Sequence, residues 1–275
     1  MTPPLSADYQ AAMLVTESAN RDRVTSFVAG NGGSPGLVDH VAAIRLYLRV
    51  PHFLTEWIDE PKLRAEVAAA LVLDIVAMKL LDDLMDDDSG LDRIELACLC
   101  LHLHLTALKE MCALSQEPQA VADLLERDFT LVCTGQIRTK REPARNLDEW
   151  CANASTYGAA FLGCYGALAA LCGRRPESIG PAREFAEAYG TLITMADDLT
   201  DYDRNGERAG NLGHLLLTGA LTLDELTGLV DRLTERAERA ARQQPVAHDL
   251  VPVVGIYRDD VLNRLLPRFR AALAV

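Results

Sequence analysis

At 275 residues the chain can hold one large core or two small ones, since a domain takes roughly 150 residues. Its 49% hydrophobic and 24% charged residues are those of a folded globular protein and exclude an extended disordered chain. Lys and Arg total 27 against 40 Asp and Glu, a formal charge of −13, which disfavours nucleic acid and broad anionic membrane contact. Any anionic substrate therefore needs a local remedy. Seven Cys, an odd number without CxxC spacing and with no secretory leader ahead of them, predict reduced thiols in a cytoplasmic protein.

Pro and Gly punctuation is sparse, and between the breaks apolar residues recur at three and four positions. This periodicity predicts helices over 37–57, 61–87, 91–114, 118–140, 147–171, 182–203, 223–242 and 253–273. No strand alternation and no hairpin turn between strand-like runs is present, so the expected fold class is all-α. Runs such as Val67-Ala68-Ala69-Ala70-Leu71-Val72-Leu73 are apolar around most of a helix and belong inside a bundle. The uncharged stretch 157–173 is short and glycine-rich for a membrane span and reads as a buried helix. No linker or fixed-period repeat divides the chain, so residues 1–275 are expected to form one domain.

Two acidic clusters carry the chemical signal. Lys79-Leu80-Leu81-Asp82-Asp83-Leu84-Met85-Asp86 ends one apolar helix, and Met195-Ala196-Asp197-Asp198-Leu199-Thr200-Asp201 ends another. Positions i and i+4 share a helix face, which stacks Asp82 with Asp86 and Asp197 with Asp201. Carboxylates at a helix C-terminus oppose the macrodipole at roughly 0.3–1 kcal/mol each, and the sequence accepts this twice. A bundle that brings the two ends together would surround hard cations such as magnesium, with Asp82, Asp83, Asp86, Asp197, Asp198 and Asp201 as ligands. Magnesium completes its shell with water and phosphate, which points to a diphosphate substrate. Taken singly, either cluster reads equally as a solvated acidic helix end. Basic candidates for the same anion are Arg138, Lys140 and Arg141, the densest group, with Arg45, Arg49, Lys79, Arg204 and Arg208.

Other patterns carry less. Cys98 with His102 and Cys100 with His104 are i,i+4 pairs, but on one helix they face about 200° apart and cannot close one tetrahedron. None of the six His has a Glu three residues before it, as a di-iron helix bundle requires, and no P-loop or nucleophile elbow is present.

Paired Asp-Asp-x-x-Asp motifs on an all-α chain resemble the class I isoprenoid synthases. The likeness to trans-prenyl diphosphate synthases runs from Asp82 through Gly135-Gln136 and the small-residue helix at Tyr157 to Asp201. Their Arg-Arg-Gly after the first motif is replaced here by Ser89-Gly90-Leu91-Asp92-Arg93, and their early Gly-Lys-Arg has no counterpart. Segments 46–57, 79–88, 135–141, 155–158 and 194–208 more specifically resemble the prenyltransferases of moenomycin biosynthesis. That resemblance implies transfer of a geranyl group from geranyl diphosphate to the farnesyl chain of a phosphoglycerate-linked glycolipid, with release of pyrophosphate. It also implies Mg2+ as cofactor, transient contact with the inner membrane face through the lipid acceptor, and a homodimer. On this view Arg138, Lys140, Arg141 and Arg204 hold the departing pyrophosphate with Gln136, and Phe53, Trp57, Tyr157, Phe161 and Tyr165 line a dry well. A terpene cyclase on the same fold and a cation-binding protein without catalysis are the competing expectations.

Overall fold

The structure is a computed structural model and describes residues 5–86, 90–205 and 209–273; the side chains of Asp86, Asp203, Arg204 and Asn205 lie outside that description. It is all-α, with no strand among the described residues. The helices are α1 (Ala7–Gly30), α2 (Pro35–Ala43), α3 (Arg45–Leu54), α4 (Pro61–Asp86), α5 (Arg93–Leu114), α6 (Pro118–Arg141) and α7 (Leu147–Thr156). They continue as α8 (Gly158–Cys172), α9 (Ile179–Asn205), α10 (Leu212–Leu217), α11 (Leu223–Ala241), α12 (Val251–Asp260) and α13 (Leu266–Leu273).

The centre is built from α4, α8 and α9. In α8 nearly every residue from Ala159 to Cys172 is buried, as a helix without a polar face requires. Each of its leucines contributes roughly 1.5–3 kcal/mol by leaving water. Two glycines set the approach of α8 to α9: a Cβ on Gly158 would lie 2.0 Å from Thr194 Oγ1, and one on Gly190 would lie 2.7 Å from the Gly158 carbonyl. This crossing sits one to two turns before Asp197. Helices α1, α3 and α5 pack against α4, α2 packs on α1, and α11 packs against α9.

Four expectations shift. Helix α1 lies where none was predicted, because its buried stripe of Tyr9, Met13, Glu17, Asn20, Val24 and Val28 contains two polar residues that hide the period. Segment 37–57 divides at Ile44, whose ψ of 57° is not helical. Segment 147–171 divides at Tyr157, with φ −120° and ψ −65°. Segment 253–273 passes through a π-helical turn at Val261–Leu265 between α12 and α13, where Pro267 offers no amide to the carbonyl of Asn263.

Candidate active site

Helices α4 and α9 end in the two acidic clusters, and the structure brings Asp82 of one and Asp197 of the other to the same two phenols. Two tyrosines show it. The Tyr47 phenol of α3 is pushed up by burial, drawn down by Lys79, and raised again by Asp197, Asp82 and Asp83. The Tyr157 phenol, at the break between α7 and α8, is pushed far above its usual range by burial and then by Asp198, Asp197 and Asp82. Carboxylates 115 residues apart therefore act on the same two hydroxyls.

Within the first cluster, Lys79 Nζ lies 3.0 Å from Asp82 Oδ2 and 2.6 Å from Asp83 Oδ1. Burial alone would lower the Lys79 pKa, but the Asp82 and Asp83 carboxylates outweigh it and raise the value, so the ammonium stays charged. Asp83 is buried, and its second oxygen lies 2.8 Å from His40 Nε2, so both its oxygens are engaged. Asp82 is 40% exposed at its side chain and faces the cleft more openly. The Asp86 side chain lies outside the described residues, as do Asp87, Asp88 and Arg208 entirely.

In the second cluster the roles divide similarly. Trp150 Nε1 donates to Asp198 Oδ2 at 2.7 Å, the Leu212 amide donates to the same oxygen at 3.2 Å, and Asn211 Nδ2 donates to the Asp198 carbonyl. Asp198 thus ties α7 and the start of α10 to α9 and keeps only Oδ1 for other work. Burial, opposed by those hydrogen bonds and reinforced by Asp197 and Asp201, pushes its pKa up from 3.8 to about 7. Asp197 is exposed and Asp201 half-buried.

The sign of the pH effect follows. A raised carboxyl pKa means that the folded state favours the proton, so the stabilisation is complete below 3.8 and is lost as pH climbs through about 7. Asp198→Asn keeps an acceptor for Trp150 and Leu212 without the charge. Its melting temperature should lose this decline between pH 5 and 8 and exceed that of the parent at pH 8, as thermal melts at the two pH values would read. Equal slopes would show that Asp198 does not titrate in this window.

The predicted basic run forms the last turn of α6, and its first member reaches α7. Arg138 Nη2 donates to the Ala152 carbonyl at 3.2 Å and to Asn153 Oδ1 at 3.1 Å, one turn before Tyr157. Lys140 and Arg141 are exposed in the last turn of α6, where they offset its dipole. Gly135 sits against Thr156, which sets the half-buried Gln136 beside the α7–α8 break. The Arg204 side chain lies outside the described residues.

A second basic group is less visible in the sequence. Arg21, Arg45 and Arg49 all pair with the buried carboxylate of Glu17, Arg45 Nε at 3.0 Å. Burial raises the Glu17 pKa and the Arg45 and Arg49 hydrogen bonds more than reverse it, leaving it below the usual range. Three guanidiniums on one carboxylate leave two positive charges over. Arg49 acts on the phenols of Tyr189 and Tyr257, and Tyr257 also feels Asp197, which connects this group to the cleft.

The aromatic residues form a packed column. The Tyr257 ring meets Tyr189 edge-on at 5.5 Å, Tyr189 meets Phe53 at 5.8 Å and stacks on Phe185, and Phe185 meets Trp57 at 5.4 Å. Tyr189 is eight residues before Asp197, about 12 Å along α9. Phe53 is thus placed well beneath the acids, and Trp57, fully buried, lies deeper still. Phe161 and Tyr165 meet edge-on in α8, and Tyr165 is completely buried.

The donor set suits magnesium. It is made of carboxylate oxygens, the hard ligands that magnesium takes. Each ion would take one or two protein oxygens and complete its shell with water and phosphate, the sparse coordination magnesium accepts. Among the described carboxylates, Asp82, Asp197 and Asp201 could hold it.

No protein-family model and no curated protein sequence matches the chain. Solved structures do. A geranylgeranyl pyrophosphate synthetase from Geoglobus acetivorans superposes with a TM-score of 0.69 at 14% identity, over 94% of this chain and 100% of that one. The fold is that of the class I isoprenoid synthases. A decaprenyl diphosphate synthase from Rhodobacter capsulatus gives 0.63 at 16% identity, over 94% and 98%, and a heptaprenyl diphosphate synthase from Staphylococcus aureus gives 0.58 at 14%, over 99% and 91%. At these identities the likeness concerns the isoprenoid synthase architecture.

Proposed function

We propose that this chain is a magnesium-dependent prenyltransferase that moves a geranyl group from geranyl diphosphate to the farnesyl chain of a phosphoglycerate-linked glycolipid, forming the branched lipid of moenomycin-type antibiotics and releasing pyrophosphate. The observation that carries prenyl transfer is the meeting of two carboxylate clusters on the Tyr47 and Tyr157 hydroxyls, in a fold shared with prenyl diphosphate synthases. The choice of acceptor rests on the sequence resemblance and on the altered Ser89-Gly90-Leu91 segment.

Bound magnesium would neutralise the diphosphate and stabilise charge on the leaving group. Asp82, Asp197 and Asp201 would hold it, with Asp86 completing the first cluster. Lys79 fixes the Asp83 carboxylate and adds a permanent positive charge beside it. Tyr47 and Tyr157 keep their protons, because burial and the surrounding carboxylates oppose ionisation, and so remain hydrogen-bond donors to phosphate oxygens. Excess charge in the Arg21, Arg45 and Arg49 group would hold the acceptor's acidic phosphoglycerate. The column under the cleft excludes water, and ring faces stabilise an allylic cation by roughly 0.5–2 kcal/mol. As the acceptor double bond attacks C1 of the geranyl group, a new C–C bond forms, the C–O bond to diphosphate breaks, and the displaced proton passes to the departing pyrophosphate.

Incubating the enzyme with magnesium, geranyl diphosphate and a farnesyl phosphoglycolipid should give a lipid heavier by one geranyl unit in mass spectrometry. A hydrocarbon formed from geranyl diphosphate alone would replace this reading with a terpene cyclase. Efficient elongation of isopentenyl diphosphate would replace the acceptor.

The proposal includes a homodimer. Helix α5 is apolar enough to resemble a membrane span, yet only 33% of its most apolar window is buried. Ile94, Cys98, Leu101 and Leu105 are exposed along one seam that continues to Leu108 and Cys112. Its 22 residues run about 33 Å, a seam long enough to pair with the same helix of a second copy. Sedimentation should show a dimer for the parent and a monomer for Leu101→Glu with Leu105→Glu. A parent that sediments as a monomer would overturn this part.

A further inference from the structure

The first turns of α4 border a groove of about 250 Å³ at the other end of that helix from its acids. Arg64 stands 18 residues before Asp82, about 27 Å along the axis, so this groove is separate from the cleft. Ala12 and Val15 of α1 with Ala65 and Ala68 of α4 give it an apolar wall, and Arg64, His52 and His248 belong to its polar lining.

That lining is only partly engaged. Arg64 Nε and Nη2 both donate to the Ile58 carbonyl, at 2.9 and 2.7 Å, which leaves Nη1 without a partner among the described residues. His248 Nδ1 lies 2.9 Å from Oε2 of the fully buried Glu56, and its Nε2 makes no hydrogen bond there. Glu56 Oε1 has no partner either and faces an equally unpartnered His52 Nε2 at 3.6 Å. Burial pushes the Glu56 carboxyl up, against the opposing pull of His248 and Arg64.

Its other neighbours cannot supply the missing charge. Burial, aided by His248 and Arg64, lowers the His52 pKa to about 4, and burial, aided by Glu56, raises the Tyr9 phenol far above its usual range, so both are neutral near pH 7. Of the acids just before α4, Asp59 pairs with Arg175 and Glu60 is exposed. His248 is thus the group that can set a full positive charge against Glu56, and an anion touching both His248 and Arg64 would favour that charge. The positive end of the α4 dipole acts in the same direction.

We infer that this groove binds a monocarboxylic acid with a compact apolar body, its carboxylate on Arg64 Nη1 and His248 Nε2 and its hydrocarbon part against Val15 and the alanines. Charges then alternate from Arg64 through the ligand and His248 to Glu56. The ligand would join α1, α4 and the segment leading into α12, the helix that carries Tyr257, and the inference does not depend on which acceptor the cleft takes.

The test uses the full chain labelled with nitrogen-15 and benzoate as the probe, with benzamide as the uncharged control, each with and without magnesium. Benzoate should shift the amide resonances of residues 62–68 and 247–248 saturably and alike in both conditions, and should bind at least tenfold more tightly than benzamide. Calorimetry at pH 7.5 in buffers of different ionisation enthalpy should show uptake of part of a proton on binding. His248→Gln, which keeps a donor for Glu56, should abolish that uptake and weaken benzoate at least fivefold, and Arg64→Gln should weaken it by a similar factor. Shifts confined to cleft residues, equal affinity for benzamide, no proton uptake in the parent, or parent-like binding in both variants would overturn the inference. Displacement of benzoate by an equal concentration of inorganic phosphate would also overturn it, since the apolar wall would then contribute nothing.

Discussion

Replacing Asp82 or Asp197 with Ala is expected to lower the rate of prenyl transfer about 10²–10³-fold, the scale on which loss of one preorganised charge-stabilising group acts. Both also raise the magnesium concentration needed for half-maximal rate. The expected stability change has the opposite sign to the activity change. Asp82 opposes the α4 dipole at the helix C-terminus, a cost of roughly 0.3–1 kcal/mol, and Lys79 retains Asp83 as a partner when Asp82 is gone. The melting temperature of Asp82→Ala should therefore not fall. Steady-state kinetics across a magnesium titration, read with a thermal melt, checks both parts; an unchanged rate in either variant would remove that cluster from the chemistry.

The largest stability loss is expected at Trp150. It is 2% exposed, and Trp150→Ala should cost about 3–5 kcal/mol in a urea titration through the volume it leaves empty. Trp150→Phe retains most of the packing but removes the N–H that donates to Asp198, a hydrogen bond to a chargeable group worth roughly 1.5–3 kcal/mol. The Phe variant should lose less in the background of Asp198→Asn, where no charge is left without its donor. Additive losses in that double-mutant cycle would show that the indole acts by packing alone.

Much of this architecture is legible in the sequence because its core helices are apolar and uninterrupted. Segments 61–87 and 118–140 reappear as α4 and α6 with ends moved by a residue or so. Helix α1 escapes notice because Glu17 and Asn20 stand at core positions, and most of what makes them tolerable, Arg45 and Arg49 for one and the Leu48 carbonyl for the other, comes from distant parts of the chain. The break at Tyr157 is equally silent, since nothing in Ser155-Thr156-Tyr157-Gly158 forbids a helix and the crossing of α8 with α9 becomes visible only in three dimensions. The six aspartates are found by spacing, but spacing gives all six one role. Geometry divides them: Asp83 is held by Lys79 one turn before it and by His40, and Asp198 is held by Trp150, and neither His40 nor Trp150 is connected to its aspartate by any local pattern. Tyr47 and Tyr257 carry no signal of their own in sequence, being single tyrosines on otherwise ordinary helices.

Glu17 concentrates two opposing demands in one carboxylate. It anchors the first helix by collecting Arg21, Arg45 and Arg49, and in doing so it cancels part of the charge those side chains would offer an incoming anion. Any substitution that strengthens this anchor further mutes the arginines, and any that weakens it sets like charges against one another while making the entrance more attractive to acidic ligands. Firmness of the amino-terminal helix and avidity at the mouth are therefore expected to vary inversely along this one coordinate, so that natural variation here would move the two properties together rather than singly.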